Sequence, residues 1–159
     1  MNNNLPVRKR LRLVGYDYSK NGAYFITIYI KDRKCILSHV VGTDDHIGPK
    51  LHLTGLGKIV EKYIAQIEGI DSFVIMPNHV HLIIIKDYEH GGTMWSSCPT
   101  SISNNIRTFK TLVTKEIGES IWQSKFYDHI IRDDYDYMIH LQYIENNPYK
   151  WLEDKYYVD

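Results

Sequence analysis

Two cysteines, Cys35 and Cys98, are all that the 159 residues contain, and they are not closely spaced. That excludes a disulfide framework and a zinc knuckle. No apolar run approaches the roughly 20 residues needed to cross a bilayer, so no membrane partner is expected. The opening Met1-Asn2-Asn3-Asn4 lacks the apolar core of a signal peptide, and the cytoplasm is the expected location. Charge of one sign is missing too: 19 Lys and Arg balance 19 Asp and Glu. A neutral chain is no indiscriminate, charge-driven binder of nucleic acid, although a local basic patch remains possible. One is present in Arg8-Lys9-Arg10-Leu11-Arg12, which reads either as a solvated arm or as a grip on a phosphate backbone. The hydrophobic fraction of 43% and charged fraction of 24% are those of an ordinary globular protein. A single domain over 1–159 is expected, with 1–20 as a basic N-terminal arm.

What the chain does have is a histidine pair inside an apolar run: Phe73-Val74-Ile75-Met76-Pro77-Asn78-His79-Val80-His81-Leu82-Ile83-Ile84-Ile85. The aliphatic, β-branched flanks predict two strands, and Pro77-Asn78 predicts the turn between them. Side chains alternate along a strand, so His79 and His81 share a face, one pleat apart. Two imidazoles so placed can reach one metal ion, or can be hydrogen-bonded at the edge of a core. Leu82 to Ile85 supply no further ligand, so any others must come from elsewhere in the fold.

The pattern along the chain predicts an α+β fold. Ala23 to Ile30 reads as a strand, with Tyr24, Ile26, Ile28 and Ile30 on one face and Phe25, Thr27 and Tyr29 on the other. Short strand-like pieces fall between Cys35 and Leu53, around the turn sequence Gly42-Thr43-Asp44-Asp45. A helix over Thr54 to Ile67 follows, with Thr54 as N-cap. After the histidine hairpin and a loop comes a helix over Ser103 to Ile117, with Gly118 as C-cap. Phe126 to Arg132 reads as a strand. A last helix spans Asp134 to Asn146 and stops before Pro148. This order is that of a ferredoxin-like, split βαβ antiparallel sheet with an extra C-terminal helix.

At 100° per residue, Tyr137, Leu141 and Ile144 form the buried stripe of that last helix. Tyr143 lies off the stripe, with His140 one turn before it and Asn147 one turn after it. Should this helix cover the histidine face, a phenol, a carboxamide and two imidazoles converge. Such a group suits phosphoryl transfer. A phenol with a pKa near 10 is a poor nucleophile toward a phosphodiester. A divalent ion on His79 and His81, with Asn147 completing its shell, can polarise the phosphate and orient the bond for in-line attack. The product is a covalent phosphotyrosine that a second hydroxyl can reverse.

The chain resembles the REP-associated tyrosine transposases, the single-tyrosine branch of the His-hydrophobic-His nucleases. The resemblance covers nearly the whole chain. It runs through Arg8 to Leu13, Gly15-Tyr16-Asp17-Tyr18, Gly22 to Thr27 and Lys31-Asp32-Arg33. It continues in Met76-Pro77-Asn78-His79-Val80-His81, Phe109-Lys110, Trp122-Gln123 and Phe126 to Arg132. It ends in Tyr143-Ile144-Glu145-Asn146-Asn147-Pro148 with Lys150-Trp151. The ordered set is specific where each piece alone is not. It implies an enzyme that nicks and rejoins single-stranded or hairpin DNA. Tyr143 would be the nucleophile, His79 and His81 the metal ligands, and Mg²⁺ or Mn²⁺ the ion. Asn147 stands where related transposases carry Gln. Relatives of this kind include both dimers that exchange the tyrosine helix and monomers, so the resemblance allows a homodimer without requiring one.

Other residues have two readings. Lys110, flanked by Arg107 and Thr114, either snorkels from the helix or meets a phosphate. Asp128-His129 reads either as a structural hydrogen-bonded pair or as a support that orients the histidines without ligating the ion, and the supporting role is favoured. Trp151 is the best-placed tryptophan to stack on a base. Two alternatives remain: a catalytically inactive single-stranded nucleic-acid-binding module, and a metallo-hydrolase for small substrates. The first would favour an aromatic signature on the central strands, where Thr27 separates Phe25 from Tyr29.

Overall fold

The computed structural model describes residues 21–41, 48–86 and 101–151. Strand β1 (Gly22–Tyr29) is followed by a single 3₁₀ turn (Lys31–Arg33) and by β2 (Ser38–Val41) and β3 (Lys50–Leu53). Then come α1 (Gly55–Ile64), β4 (Ile70–Ile75), β5 (His79–Lys86), α2 (Ile102–Ile117), β6 (Tyr127–Ile131) and α3 (Asp134–Asn146). The main sheet has the order β4-β5-β1-β6, with every neighbouring pair antiparallel. That is the split βαβ arrangement expected from the sequence. The β2–β3 hairpin forms its own two-stranded sheet between β1 and α1 in the chain. Its expected turn, Gly42 to Asp45, lies outside the described residues, as does the basic arm of Arg8, Lys9, Arg10 and Arg12.

Local chemistry sets the helix ends. Thr54 accepts the Gly57 N–H and caps α1; Ser101 accepts the Asn104 N–H and caps α2 one residue earlier than expected. Gly118 ends α2 in the left-handed conformation, at φ 89°. The α1 helix stops at Ile64, short of Ile67, because its last turn tightens: Ile67 N–H donates to Ile64 O at 2.9 Å. Gly57 permits the close approach of α1 to the backbone just before β2: a Cβ there would lie 2.0 Å from the Leu37 carbonyl oxygen.

The alternation of β1 divides the interior. Tyr24, Ile26 and Ile28 join Val80, Leu82 and Ile84 of β5 and the apolar stripes of α1 and α2 in one core. Phe25 joins Val74, Met76, Ile83, Ile131, Ile144 and Trp151 in a second, smaller one beneath α3. The sheet is thus covered on both faces, and α3 lies over the histidine side. Among the described residues, no helix is long and apolar enough to cross a membrane.

Candidate active site

The Pro77-Asn78 turn sets the histidine register. Met76 N–H donates to His79 O at 2.9 Å, and β5 begins at once. Thr27 of β1 pairs with His81 and Tyr29 with His79, so four side chains face α3 together. Both imidazoles are buried, and their Nε2 atoms lie 3.0 Å apart. Each Nδ1 has a partner: Asn78 Oδ1 at 2.7 Å from that of His79, and Thr27 Oγ1 at 2.8 Å from that of His81.

These contacts constrain the protons. A carboxamide oxygen only accepts, so His79 Nδ1 donates and its Nε2 carries a lone pair. Burial first, and the Arg33 charge second, push the His79 pKa down to about 3, which keeps the ring neutral. A hydroxyl can accept or donate, so Thr27 suits either tautomer of His81. One tautomer lets His81 Nε2–H donate to His79; the other turns both lone pairs toward one point.

The residues fit a divalent ion. Two ligands at right angles, each about 2.1 Å from an octahedral ion, stand about 3 Å apart, and the two Nε2 atoms have that separation. Asn147 is buried just after α3, and its Oδ1 has no hydrogen-bond partner among the described residues. An unsatisfied buried carbonyl costs about 1–3 kcal/mol, and a cation would relieve that cost.

Tyr143 is 39% exposed. Its ring meets His81 edge-on at 5.0 Å between centroids and Phe25 at 5.9 Å. A cavity of about 330 Å³ opens here between Thr27, His81, His140 and Tyr143. Trp151 is buried, its ring 6.1 Å from that of His79 and 29° from parallel.

Lys110 lies apart from this group. It is on α2, against the other face of the sheet, where Nζ donates to the carbonyls of Gln123 and Lys125 at 2.9 and 3.3 Å. Burial lowers its pKa to about 8. Asp128 and His129 are also separated, because neighbours on a strand face opposite ways. Asp128 lies opposite Ile26 and His129 opposite Phe25, so only His129 is on the α3 side. It meets Asp136 of α3 rather than Asp128.

Sequence reasoning missed the roles of Thr27 and Asn78. Asn78 read as a turn residue alone. Thr27 is 54 positions from His81, and only the β1–β5 register joins them.

No family model matches the chain. A Haemophilus influenzae protein described only as uncharacterized is 35% identical over 96% of this chain and 94% of its own length. A second Haemophilus influenzae protein, described as "Putative REP-associated tyrosine transposase", is 30% identical over 84% of this chain and 74% of its own. The Escherichia coli REP-associated tyrosine transposase is 26% identical over 86% and 73%. A solved structure of a REP-associated tyrosine transposase bound to a REP hairpin superimposes with a TM-score of 0.60. That match is 23% identical, covers 88% of this chain and 74% of the other, and bears on the fold. Fold and relatives agree with the resemblance drawn from the sequence motifs: the chain belongs to the REP-associated tyrosine transposase family.

Proposed function

We propose that this protein nicks and rejoins single-stranded DNA by transesterification. In this reading Tyr143 is the nucleophile, and His79, His81 and Asn147 bind Mg²⁺ or Mn²⁺. The observation that carries it is a half-exposed phenol on α3 above two inward-facing imidazole nitrogens, with a buried carboxamide oxygen at the end of the same helix that has no hydrogen-bond partner among the described residues. When bound, the ion would supply charge for the phosphate and orient it for in-line attack.

The chain's own groups do the rest. Thr27 and Asn78 hold the imidazoles in orientation. The Tyr143 oxygen forms a bond to phosphorus as a bridging P–O bond breaks, and a strand-end hydroxyl leaves. The phenolic proton passes to solvent, which reaches this partly exposed side chain. Attack by a second hydroxyl on the phosphotyrosine reverses the exchange and rejoins DNA.

The solved relative is bound to a hairpin, and single-stranded or hairpin DNA is the partner proposed here. Within one domain over 1–159, the arm of Arg8, Lys9, Arg10 and Arg12 would hold phosphates; Trp151, expected from the sequence to stack on a base, is buried against His79 and packs the site instead. Lys110 borders a second cavity of about 470 Å³ with Arg107, Lys115 and several hydroxyls, a lining suited to phosphate oxygens. Action on DNA implies a cytoplasmic location. Half-exposed Met138, Ile139 and Tyr143 leave α3 accessible to a second copy, and sedimentation tests the homodimer.

The deciding experiment incubates the protein with hairpin oligonucleotides drawn from the DNA flanking its gene, with Mg²⁺ or Mn²⁺ added or withheld. A denaturation-resistant protein–DNA adduct is expected. Tyr143→Phe should lower its yield at least about a thousandfold while binding persists. An adduct at the normal rate in Tyr143→Phe removes the nucleophile assignment. DNA binding without an adduct in the wild type leaves the catalytically inactive binding module.

A further inference from the structure

One cluster of ligating side chains has no part in this reaction. His129 lies on β6, and Asp136 and His140 lie one turn apart on α3, so the three come from two elements that meet through these side chains. Their ligand atoms all lie within 4.8 Å of one another. We infer that His129, Asp136 and His140 form a second divalent-metal site, of the zinc class, that ties the Tyr143 helix to β6.

The donor set is that of an open zinc centre: two imidazoles, one carboxylate and a remaining position for water or another oxygen. Its spacing is suitable. His129 Nε2 is 2.9 and 3.1 Å from the two Asp136 oxygens, and His140 Nδ1 is 3.1 Å from Oδ1. Ligands about 2.1 Å from one ion stand roughly 3.0–3.4 Å apart at octahedral to tetrahedral angles. The two rings lie side by side, with centroids 4.5 Å apart and planes 22° from parallel. Side-chain exposures of 30%, 20% and 19% leave the cluster open to an ion from solvent. The Arg132 N–H donates to Asp136 Oδ2 at 3.0 Å and orients the carboxylate from outside.

Without an ion, the imidazole N–H groups donate to Asp136. His140 Nδ1 is also 2.8 Å from the Asp136 carbonyl oxygen. Metal binding places the ion where those protons were. Each ring moves its proton to the other nitrogen, or releases it if the ring was charged. Nitrogen-rich donors select zinc, cobalt or nickel over magnesium. His140 stands one turn before Tyr143 and lines the same cavity as His81 and Tyr143. An ion here therefore stiffens the helix just ahead of the proposed nucleophile, while the site itself stands without the transesterase reading.

Metal-free full-length protein titrated with Zn²⁺ by calorimetry, and with Co²⁺ by visible absorption, tests this directly. Two equivalents are expected in the wild type. The double variant H79A/H81A should keep one, and H129A/H140A should lose one. Asp136→Asn, which keeps the volume and much of the hydrogen bonding, should weaken the second equivalent at least tenfold with an unchanged circular dichroism spectrum. Undiminished Zn²⁺ binding in both H129A/H140A and Asp136→Asn overturns the inference. So does a wild-type stoichiometry of one that vanishes in H79A/H81A. A single equivalent lost only in H129A/H140A supports this site and removes the ion from the proposed DNA-cleaving site.

Discussion

The two faces of the main sheet are built on different terms. On the Tyr24 side, α2 buries Ile102, Ile106, Phe109 and Val113 against aliphatic strand residues. On the Phe25 side, α3 buries only Ile144 fully and leaves Tyr135, Met138, Ile139 and Tyr143 exposed. The attachments of α3 are largely polar and lie toward both edges of the sheet. Tyr137 donates to Asp71 on the edge strand β4 at 2.8 Å, and Asp136 meets His129 on β6 at the other edge. On the α3 side Thr27, His79 and His81 are buried polar groups, with Asn78 in the turn before β5 and Asn147 just after α3, whereas the strands of the other face bury Lys86 and Asp128. The first face supplies apolar burial and stability. The second gives up apolar area to hold polar side chains in register, at a cost that a bound cation would offset.

This contrast predicts where substitutions act. Phe109→Ala, on the dry face, should cost about 3–5 kcal/mol in denaturant unfolding, whereas Met138→Ala on exposed α3 should stay within about 0.5 kcal/mol. Equal costs would mean that α3 is buried in the native assembly, for example by a second copy. Thr27→Val keeps the shape at β1 but removes the contact to His81 Nδ1. It should weaken metal binding about 10–100-fold in calorimetry with a much smaller change in unfolding midpoint. Metal affinity unchanged by Thr27→Val would separate His81 from the ion.

A pH-dependent effect concerns Lys110. Its folded pKa, about 8, lies below the ordinary lysine value, so the unfolded chain binds more protons between the two. Stability should therefore rise with pH from about 8 toward 10, as the buried ammonium loses its charge. Lys110→Gln should flatten that rise in urea titrations across the same range.

Much of this was legible from the chain alone, for reasons of periodicity. Period two in β1 and β5 put Phe25 with Thr27 and His79 with His81. Capping chemistry marked Thr54 and Gly118 at helix ends. The His-Val-His and Tyr143-to-Asn147 spacings carried the family resemblance. The arrangement of α3 was harder to read, because only Ile144 of its expected stripe is fully buried; Tyr137 and Leu141 are partly covered. Lys110 had two readings, a snorkelling side chain or a phosphate contact, and its place relative to the histidines was not legible, since helix periodicity does not say which face of a sheet a helix covers. His129 looked like a partner of Asp128, since sequence adjacency hides the opposite direction of neighbouring strand side chains.

By itself, then, the sequence determined the element order, the pairing of residues on each strand face and the family. Those depend on local backbone geometry and on side-chain type, which act over a few residues. Only the tertiary structure decided that Thr27 and Asn78 orient the two imidazoles, that the Nε2 atoms meet at 3.0 Å, and that Asn147 is buried with its carbonyl oxygen unpartnered among the described residues. It alone brought His129 to Asp136 and His140. These are matters of strand register and helix docking. They arise when the whole chain buries its apolar surface at once, and no local pattern encodes them.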